Sequence, residues 1–214
     1  MFSTRVKPLD FKKSGLNEEE WKTLKRLSNP KKIQDFLNFL PFNFEERGET
    51  HCSVRYALKR GKAHCFEGAL LAAAALWISG RQPLILDLVT LRPDFDHVVA
   101  LFKEDRYWGA ISKTNHAVLR YREPVYESVR ELVMSYFHEY FLLDGKKTLR
   151  SFSRPFDLST KGATWITSKE NLASLAQTLD RSEHIRILSP KQARNLRKAD
   201  KIEIQTGKMV EYKK

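Results

Sequence analysis

The sequence of 214 residues is poor in cysteine, with only Cys52 and Cys65. Two thiols are too few for the disulfide framework of a small secreted domain, so in a reducing compartment both stay available for chemistry. Long apolar runs are also absent, because the longest, at residues 68–78, has eleven residues where a transmembrane helix needs ~20. The N-terminal stretch has no apolar segment followed by a cleavage site. We therefore expect a cytoplasmic protein that makes no contact with membranes.

Acidic residues are outnumbered, with 26 Asp and Glu against 38 Lys and Arg, which gives a net charge of +12. A positive field of this size can attract nucleic acid, acidic proteins or anionic surfaces, but it does not select one of them. The sequence contains no block of six like charges, and its aromatic residues are not interleaved with basic ones as a stacking platform requires. Nucleic acid is thus an open partner class that no motif supports.

Helix and strand signals predict an α/β (α+β) fold in which a central helix packs on an antiparallel sheet. The Ala- and Leu-rich segment that begins at Cys65 predicts a buried helix, with Gly80 as its C-cap and Pro83 preventing its continuation. The charged turn between two of the following apolar segments predicts a hairpin. The predicted strands lie at 83–91, 96–105 and 106–112.

The flanking segments add further helices to this core. Asn17 caps one predicted N-terminal helix, and Ser28 or Asn29 caps a second. A 3.6-residue period predicts one helix over 123–142, whereas the polar stretch 145–162 predicts a surface loop.

The C-terminal region predicts a capped helix, a short strand, a second helix and a terminal strand or tail. Residues 191–214 hold eight basic residues against three acidic ones, so this end carries much of the net charge. We expect a core with N-terminal helices at 1–150 and a basic extension at 151–214 that packs on the core.

The central helix and the strand after it carry the residues that point to chemistry. Cys65 lies at the predicted start of the helix, where unpaired N–H groups and the positive end of the dipole lower the pKa of a thiol. His97 opens a strand 32 residues later, and the fold can bring its ring to the thiol. A third group must accept a hydrogen bond from the far ring nitrogen, and the next strand can supply it.

This order of parts resembles the transglutaminase-like superfamily over about residues 50–115. The segment AHCFEGA matches the G-x-C-x-(D/E)-x-A pattern of that family, except that Ala63 replaces the first glycine. The segment HVVALFKEDRYWGAIS reproduces its histidine, turn and tryptophan, with Trp108, but has Ser112 where the family has aspartate. The resemblance implies a papain-like core and thiol chemistry on peptides or other amides: hydrolysis, or acyl transfer through a thioester.

The change from aspartate to serine weakens the expected site. A serine hydroxyl offers His97 a neutral hydrogen bond, roughly half as strong as one to an anion. Ser112 is our first choice for orienting the ring, and Asn115, an amide like that of papain-like proteases, is the second. Asp96 is near in sequence, but strand alternation directs it to the opposite face. The candidate catalytic residues are Cys65, His97, Ser112 and Asn115.

Loops beside the predicted site are expected to form the substrate walls. The candidate substrate-binding residues are Arg92, Trp108, Lys113 and His116. Trp108 also suits a core position. Arg92 and Lys113, together with Arg120 and Arg122, would make the wall basic, which favours an acidic or carboxylate-bearing substrate.

Two other interpretations compete with a thiol enzyme. The His-Cys dipeptides at 51–52 and 64–65 hold zinc ligand types, but their separation by eleven residues fits no common zinc motif, so we expect no metal and no cofactor. The missing aspartate supports a catalytically weak or silent domain that binds protein or nucleic acid through its basic C-terminal end. An enzyme requires the thiol and imidazole in contact and reachable by solvent, whereas a scaffold does not.

Overall fold

The computed structural model of the protein describes residues 6–46 and 48–213, in which helices pack on both faces of an antiparallel sheet. The helices are α1 (Phe11–Ser14), α2 (Glu18–Arg26), α3 (Pro30–Phe39), α4 (Val54–Arg60), α5 (Cys65–Ile78), α6 (Val129–Tyr136), α7 (Thr164–Thr167), α8 (Ala173–Asp180), α9 (Pro190–Arg194) and α10 (Lys201–Gly207). The strands are β1 (Leu84–Thr90), β2 (His97–Glu104), β3 (Tyr107–Ile111), β4 (Arg122–Tyr126), β5 (Leu149–Ser153), β6 (Phe156–Asp157) and β7 (His184–Arg186).

The seven strands form one sheet in the spatial order β4-β3-β2-β1-β5-β7, and β6 also pairs with β1. Leu88 of β1 lies opposite His97, the first residue of β2, and Ala100 of β2 lies opposite Ile111 of β3. Because side chains alternate along a strand, this register puts His97 and Ser112, the residue after β3, on the same face of the sheet.

One face of the sheet is covered by α5. This helix is apolar all round, and every residue from Phe66 to Leu76 is buried. A helix without a polar face is stable only inside a core, and α5 lies between the strands β1 and β2 and the helices α2, α3, α4 and α7. Gly80, with φ at +81°, reverses the chain after the helix.

The other face of the sheet packs against α6 and the turn that follows it. Leu86, Leu88 and Leu101 point from the strands into this second core, where they meet Leu132 and Tyr136 of α6. The two cores use alternate residues of β1 and β2, which explains why both strands are buried on both sides.

The sequence signals for the central elements are confirmed. Helix α5 begins at Cys65, and β2 and β3 form a hairpin with Asp105 in the left-handed region at φ +52°. The side chain of Asn17 accepts a hydrogen bond from the N–H of Glu20 at 2.8 Å, and Asn29 caps α3 in the same way.

The predicted helix over 123–142 is wrong in its first part. Residues Arg122–Tyr126 form β4, an edge strand in which Pro124 is tolerated because one side of the backbone needs no donor. Helix α6 begins only after Ser128, whose side chain accepts from the N–H of Glu131 at 3.1 Å. The periodic signal therefore belonged to a shorter helix, and the cap marks its start.

The predicted surface loop over 145–162 is also wrong, because it contains β5. This strand lies inside the sheet between β1 and β7, with Leu149 and Phe152 buried. Polar residues occupy most of its other positions, so the segment carries too little apolar signal to predict a strand without knowledge of its neighbours.

The C-terminal region follows the predicted order of helix, strand and helix in α8, β7 and α9. The chain then forms α10 in place of the expected terminal strand or tail, since the carboxylate of Glu203 accepts from the N–H of Asp200 at 2.6 Å and starts a further helix. Strand β5 spans the expected boundary after residue 150, and β7, from the expected extension, pairs with β5 in the same sheet.

Over residues 6–46 and 48–213, none of the helices has both the length and the apolar character that crossing a membrane demands.

Candidate active site

The start of α5 is held by a buried carboxylate one turn into the helix. Glu67 accepts hydrogen bonds from Asn43 Nδ2 at 3.1 Å, Thr50 Oγ1 at 3.1 Å, and the backbone N–H groups of Cys52 and His64, both at 3.2 Å. Burial raises the pKa of this carboxyl, but the charge of His64 and these donors outweigh it, so the pKa falls below its ordinary value. Glu67 thus ties the chain before α5 to the helix start.

Cys65, the first residue of α5, opens onto a cavity of about 930 Å³ together with His97. The residue is partly buried and forms part of the cavity wall. Burial opposes ionisation, but the rings of His64 and His97 favour the thiolate and hold the pKa of Cys65 well below its ordinary value. Cys65 and His97, the pair predicted from the sequence, thus line the same cavity.

The hydrogen bonds around His97 define which ring nitrogen carries a proton. Nε2 of His97 lies 2.8 Å from Ser112 Oγ, and the same hydroxyl donates to the carbonyl of Leu119 at 2.6 Å. A carbonyl can only accept, so the single proton of Ser112 points to Leu119, and Oγ accepts from the His97 Nε2–H. This bond leaves Nδ1 as the ring nitrogen that can act as a base.

Leu119 adopts a strained backbone to make this contact. Its φ is +61°, a region that a leucine enters at a cost of ~1 kcal/mol or more. Its N–H donates to Glu139 Oε2 at 2.7 Å, and the other oxygen of Glu139 pairs with Arg122 at 2.6 Å. These contacts fix the peptide whose carbonyl accepts the hydrogen bond from the Ser112 hydroxyl.

A second histidine, His64, approaches the thiol from the other side. Its Nδ1 lies 3.9 Å from Cys65 Sγ, while its Nε2 lies 2.6 Å from the carbonyl of Thr50 and 3.6 Å and 3.7 Å from carboxylate oxygens of Glu45 and Glu67. Burial lowers the pKa of this ring, but the bond to Cys65 and the negative charges nearby raise it to about 9. The His64 ring is therefore positively charged at neutral pH, close to the sulfur.

From the sequence alone, His64 stands out only as a zinc-ligand residue type. The signal that could have identified it is its position as the N-cap, directly before the cysteine of a buried helix. In the described parts of the chain, no three residues of the His, Cys, Asp and Glu types are grouped to hold a metal ion.

Burial, followed by the bond to Glu67 and its charge, raises the pKa of Cys52 to about 11, which distinguishes this thiol from Cys65.

Asn115 lines the cavity but contacts a different part of the chain. Its Nδ2 donates to the carbonyl of Tyr212 at 2.9 Å, and its Oδ1 accepts from the N–H of Tyr212 at 2.8 Å. Its own carbonyl accepts from the N–H of Glu211 at 2.8 Å. The residue that bonds to the His97 ring is Ser112, and the amide of Asn115 instead holds the segment after α10 against the cavity rim.

The predicted substrate-binding residues divide into two groups. Arg92 and His116 are exposed on the cavity wall. Lys113 is buried, and its ammonium donates to the carbonyls of Leu37 and Leu40 at the end of α3. Burial lowers the pKa of Lys113 to about 8. Its bonds to these two carbonyls hold the ammonium at the end of α3.

Trp108 packs against the core on the α6 side of the sheet, with the ammonium of Lys103 4.6 Å from its ring centre. Its position is that of a core aromatic at the edge of the second core.

The cavity lining is richer in acidic than in basic side chains. Seven carboxylates and three cationic groups, Arg92, Lys113 and His64, are found among the described residues that form it. Arg120 and Arg122 instead pair with Glu211 and Glu139. The carboxylates of the lining are those of Glu45, Glu49, Asp87, Asp94, Asp96, Glu139 and Asp180.

Comparison with models of known protein families and with curated proteins gives no match to this sequence.

Proposed function

We propose that the chain is a thiol-dependent enzyme acting on amide or peptide bonds, as a cysteine peptidase, amidase or acyltransferase. The observation that carries this proposal is a cavity wall shared by Cys65 and His97, in which Ser112 bonds to the His97 ring and the pKa of the thiol is held low. Cys65 acts as nucleophile, His97 as base and then acid, and Ser112 as the group that orients the ring.

The chemical steps follow from the positions of the protons. The thiolate of Cys65 attacks the acyl carbon, and a C–S bond forms while the carbonyl π electrons move to oxygen. When the tetrahedral intermediate collapses, the leaving amine takes a proton from the His97 imidazolium, and a thioester remains. Water or a second amine, deprotonated by His97, then attacks the thioester and releases Cys65.

The order of elements supports a transglutaminase-like, papain-like core. In that core a cysteine begins a helix packed on an antiparallel sheet, a histidine begins the next paired strand, and the orienting residue follows on its neighbour. Here α5, β2 and the end of β3 supply these parts. His64 offsets the neutral character of Ser112, since it places an additional positive charge 3.9 Å from the sulfur.

The charge of the lining informs the substrate class. Seven carboxylates against three cationic groups, Arg92, Lys113 and His64, favour neutral or cationic groups beside the scissile amide over the acidic substrate expected from the loop sequences. A second function, a silent domain that binds a partner, is favoured by one observation, the neutral hydroxyl at the position where the family has an aspartate. The two functions differ in the reactivity of Cys65.

The test is the rate of alkylation of each cysteine by iodoacetamide between pH 4 and 10, measured by mass spectrometry of the two peptides. We expect Cys65 to react with an apparent pKa well below the free value of ~8.5, and Cys52 to react only at alkaline pH. His97→Ala should weaken the depression, whereas the matched control His138→Ala, at an exposed histidine outside the cavity, should leave it unchanged.

A Cys65 that titrates like an ordinary thiol in the unaltered protein would remove the mechanism and favour the binding domain. Both variants should be compared at equal folded fraction by circular dichroism, so that loss of structure is not mistaken for loss of the ion pair.

A further inference from the structure

The tetrahedral intermediate of the proposed reaction carries a negative oxygen that needs hydrogen-bond donors. One donor is available at the start of α5, because the N–H of Cys65 has no carbonyl of the same helix to bind. A single donor is rarely sufficient, since oxyanion sites generally combine two. The second donor should be a rigid, protonated group that lines the same cavity and has no other hydrogen-bond partner in the resting protein.

Tyr140 has these properties. Its side chain is 3% exposed and lines the cavity that also holds Cys65 and His97. Its hydroxyl is buried and has no hydrogen-bond partner among the residues that the structure describes. Buried polar groups are nearly always paired, so an unpaired hydroxyl on a residue of this cavity wall is available to donate to a bound group.

The surroundings of Tyr140 keep its hydroxyl protonated and fixed in place. Burial, and then the negative charge of Cys65, raise the pKa of the phenol well above its ordinary value, so it remains a donor at every working pH. The ring packs in the second core with Phe137 and Leu149, and the carbonyl of Tyr140 accepts from the N–H of Thr148 at 3.1 Å. A donor held by core packing needs no reorganisation during the reaction.

We infer that the Tyr140 hydroxyl and the Cys65 N–H together bind the oxyanion, which makes Tyr140 a further catalytic residue. This inference rests on the proposed function. As the C–S bond forms and the acyl oxygen gains the π electron pair, the hydroxyl donates a hydrogen bond to that oxygen without losing its proton. The bond is released when the carbonyl re-forms and the leaving group departs.

Two reagents separate this role from the reactivity of the thiol. Iodoacetamide alkylates sulfur by displacing iodide, with no tetrahedral oxyanion, whereas p-nitrophenyl acetate acylates sulfur through one and releases p-nitrophenolate without needing an acid. Tyr140→Phe removes only the hydroxyl oxygen. We expect Cys65 in this variant to be alkylated at the unaltered rate and with the unaltered pH profile, but acylated about 100-fold more slowly.

Tyr136→Phe is the matched control, because Tyr136 is equally buried in the same core but donates its hydroxyl to the carbonyl of Arg120 at 3.0 Å. It should keep both rates. Thermal unfolding gives an independent readout: loss of an unpaired hydroxyl should leave the Tm of Tyr140→Phe unchanged or higher, whereas loss of the paired one should lower the Tm of Tyr136→Phe.

The outcomes distinguish the two proposals. If Tyr140→Phe is acylated within about threefold of the unaltered protein, the oxyanion role is overturned and the proposed function stands. If the unaltered protein is alkylated at Cys65 but forms no acetyl-enzyme, the proposed function and the oxyanion role are both overturned. Equal slowing of alkylation and acylation would also overturn the role, since it would place Tyr140 in the activation of the thiol.

Discussion

Replacing Glu67 by glutamine should destabilise the protein and disturb the head of α5. The carboxylate serves four donors, two at each oxygen: Thr50 and Cys52 at Oε1, and Asn43 and His64 at Oε2. A glutamine keeps one oxygen and presents an NH₂ group to the other pair of donors. Whichever way the amide turns, two former donors face a group that cannot accept.

The less costly orientation directs the NH₂ toward Thr50 and Cys52. The hydroxyl of Thr50 can rotate to accept from it, because it also lies 3.3 Å from a carboxylate oxygen of Glu45. The backbone N–H of Cys52 then has no partner, which costs about 1–3 kcal/mol, and the remaining bonds lose the assistance of the charge. We expect a total loss of about 2–4 kcal/mol in the free energy of unfolding.

Urea unfolding followed by circular dichroism measures this loss, with Glu19→Gln on the exposed face of α2 as the control that should change by less than about 0.5 kcal/mol. A second readout is chemical. Removing the charge of Glu67 removes a cause of the raised pKa of Cys52, so that thiol should react with iodoacetamide at lower pH than in the unaltered protein. A loss below about 1 kcal/mol would refute the claim that this carboxylate organises the helix start.

Three further changes test other parts of the structure. Ser112→Ala removes a neutral hydrogen bond worth about 0.5–1.5 kcal/mol, so alkylation of the proposed nucleophile on the acid limb of its pH profile should slow about 2- to 12-fold. Gly68→Ala should cost about 2 kcal/mol in thermal unfolding, because the new Cβ would lie 2.4 Å from Cβ of Lys113 and the gain in helix propensity returns only about 1 kcal/mol. Glu20→Gln should cost about 1–2 kcal/mol at pH 7, since the hydrogen bond from Arg55 at 2.8 Å lowers the pKa of Glu20; this difference should vanish as the pH falls below the pKa in the folded protein.

Each of these expectations can fail in a defined way. An unchanged alkylation profile in Ser112→Ala would mean that the ring of His97 is oriented by other contacts. An unchanged Tm in Gly68→Ala would mean that β3 and α5 can separate by a few tenths of an ångström. A Glu20→Gln difference that grows toward low pH would contradict the sign of the pKa shift, because a lowered carboxyl pKa stabilises only above that pKa.

The elements with strong local signals are those that the sequence predicts well. Helix α5 is marked by its Ala and Leu content and by Pro83, and the β2–β3 hairpin is marked by its charged turn. Strand β5 escapes prediction because its stability comes from β1 and β7 on either side, which are distant in sequence.

The candidate site divides in the same way. Cys65 and His97 are found from their places at the beginnings of a helix and a strand. Tyr140 is not, because its importance depends on a cavity that segments far apart in the chain form together. The contribution of His64 likewise depends on the carbonyl of Thr50, which no pattern of residue types reveals.

The hydroxyl of Ser112 donates to a backbone carbonyl, that of Leu119, and this determines which substitutions the site can tolerate. A side-chain acceptor can be lost by a single substitution at its own position, but any amino acid at position 119 still carries a carbonyl. Substitutions should instead impair the site where they alter the orientation of that peptide. Its orientation depends on the left-handed backbone of Leu119 and on the carboxylate of Glu139, which accepts a hydrogen bond from the Leu119 N–H. A scan of random substitutions should therefore find position 119 permissive for glycine and asparagine, which enter this backbone region readily, and restrictive for β-branched residues.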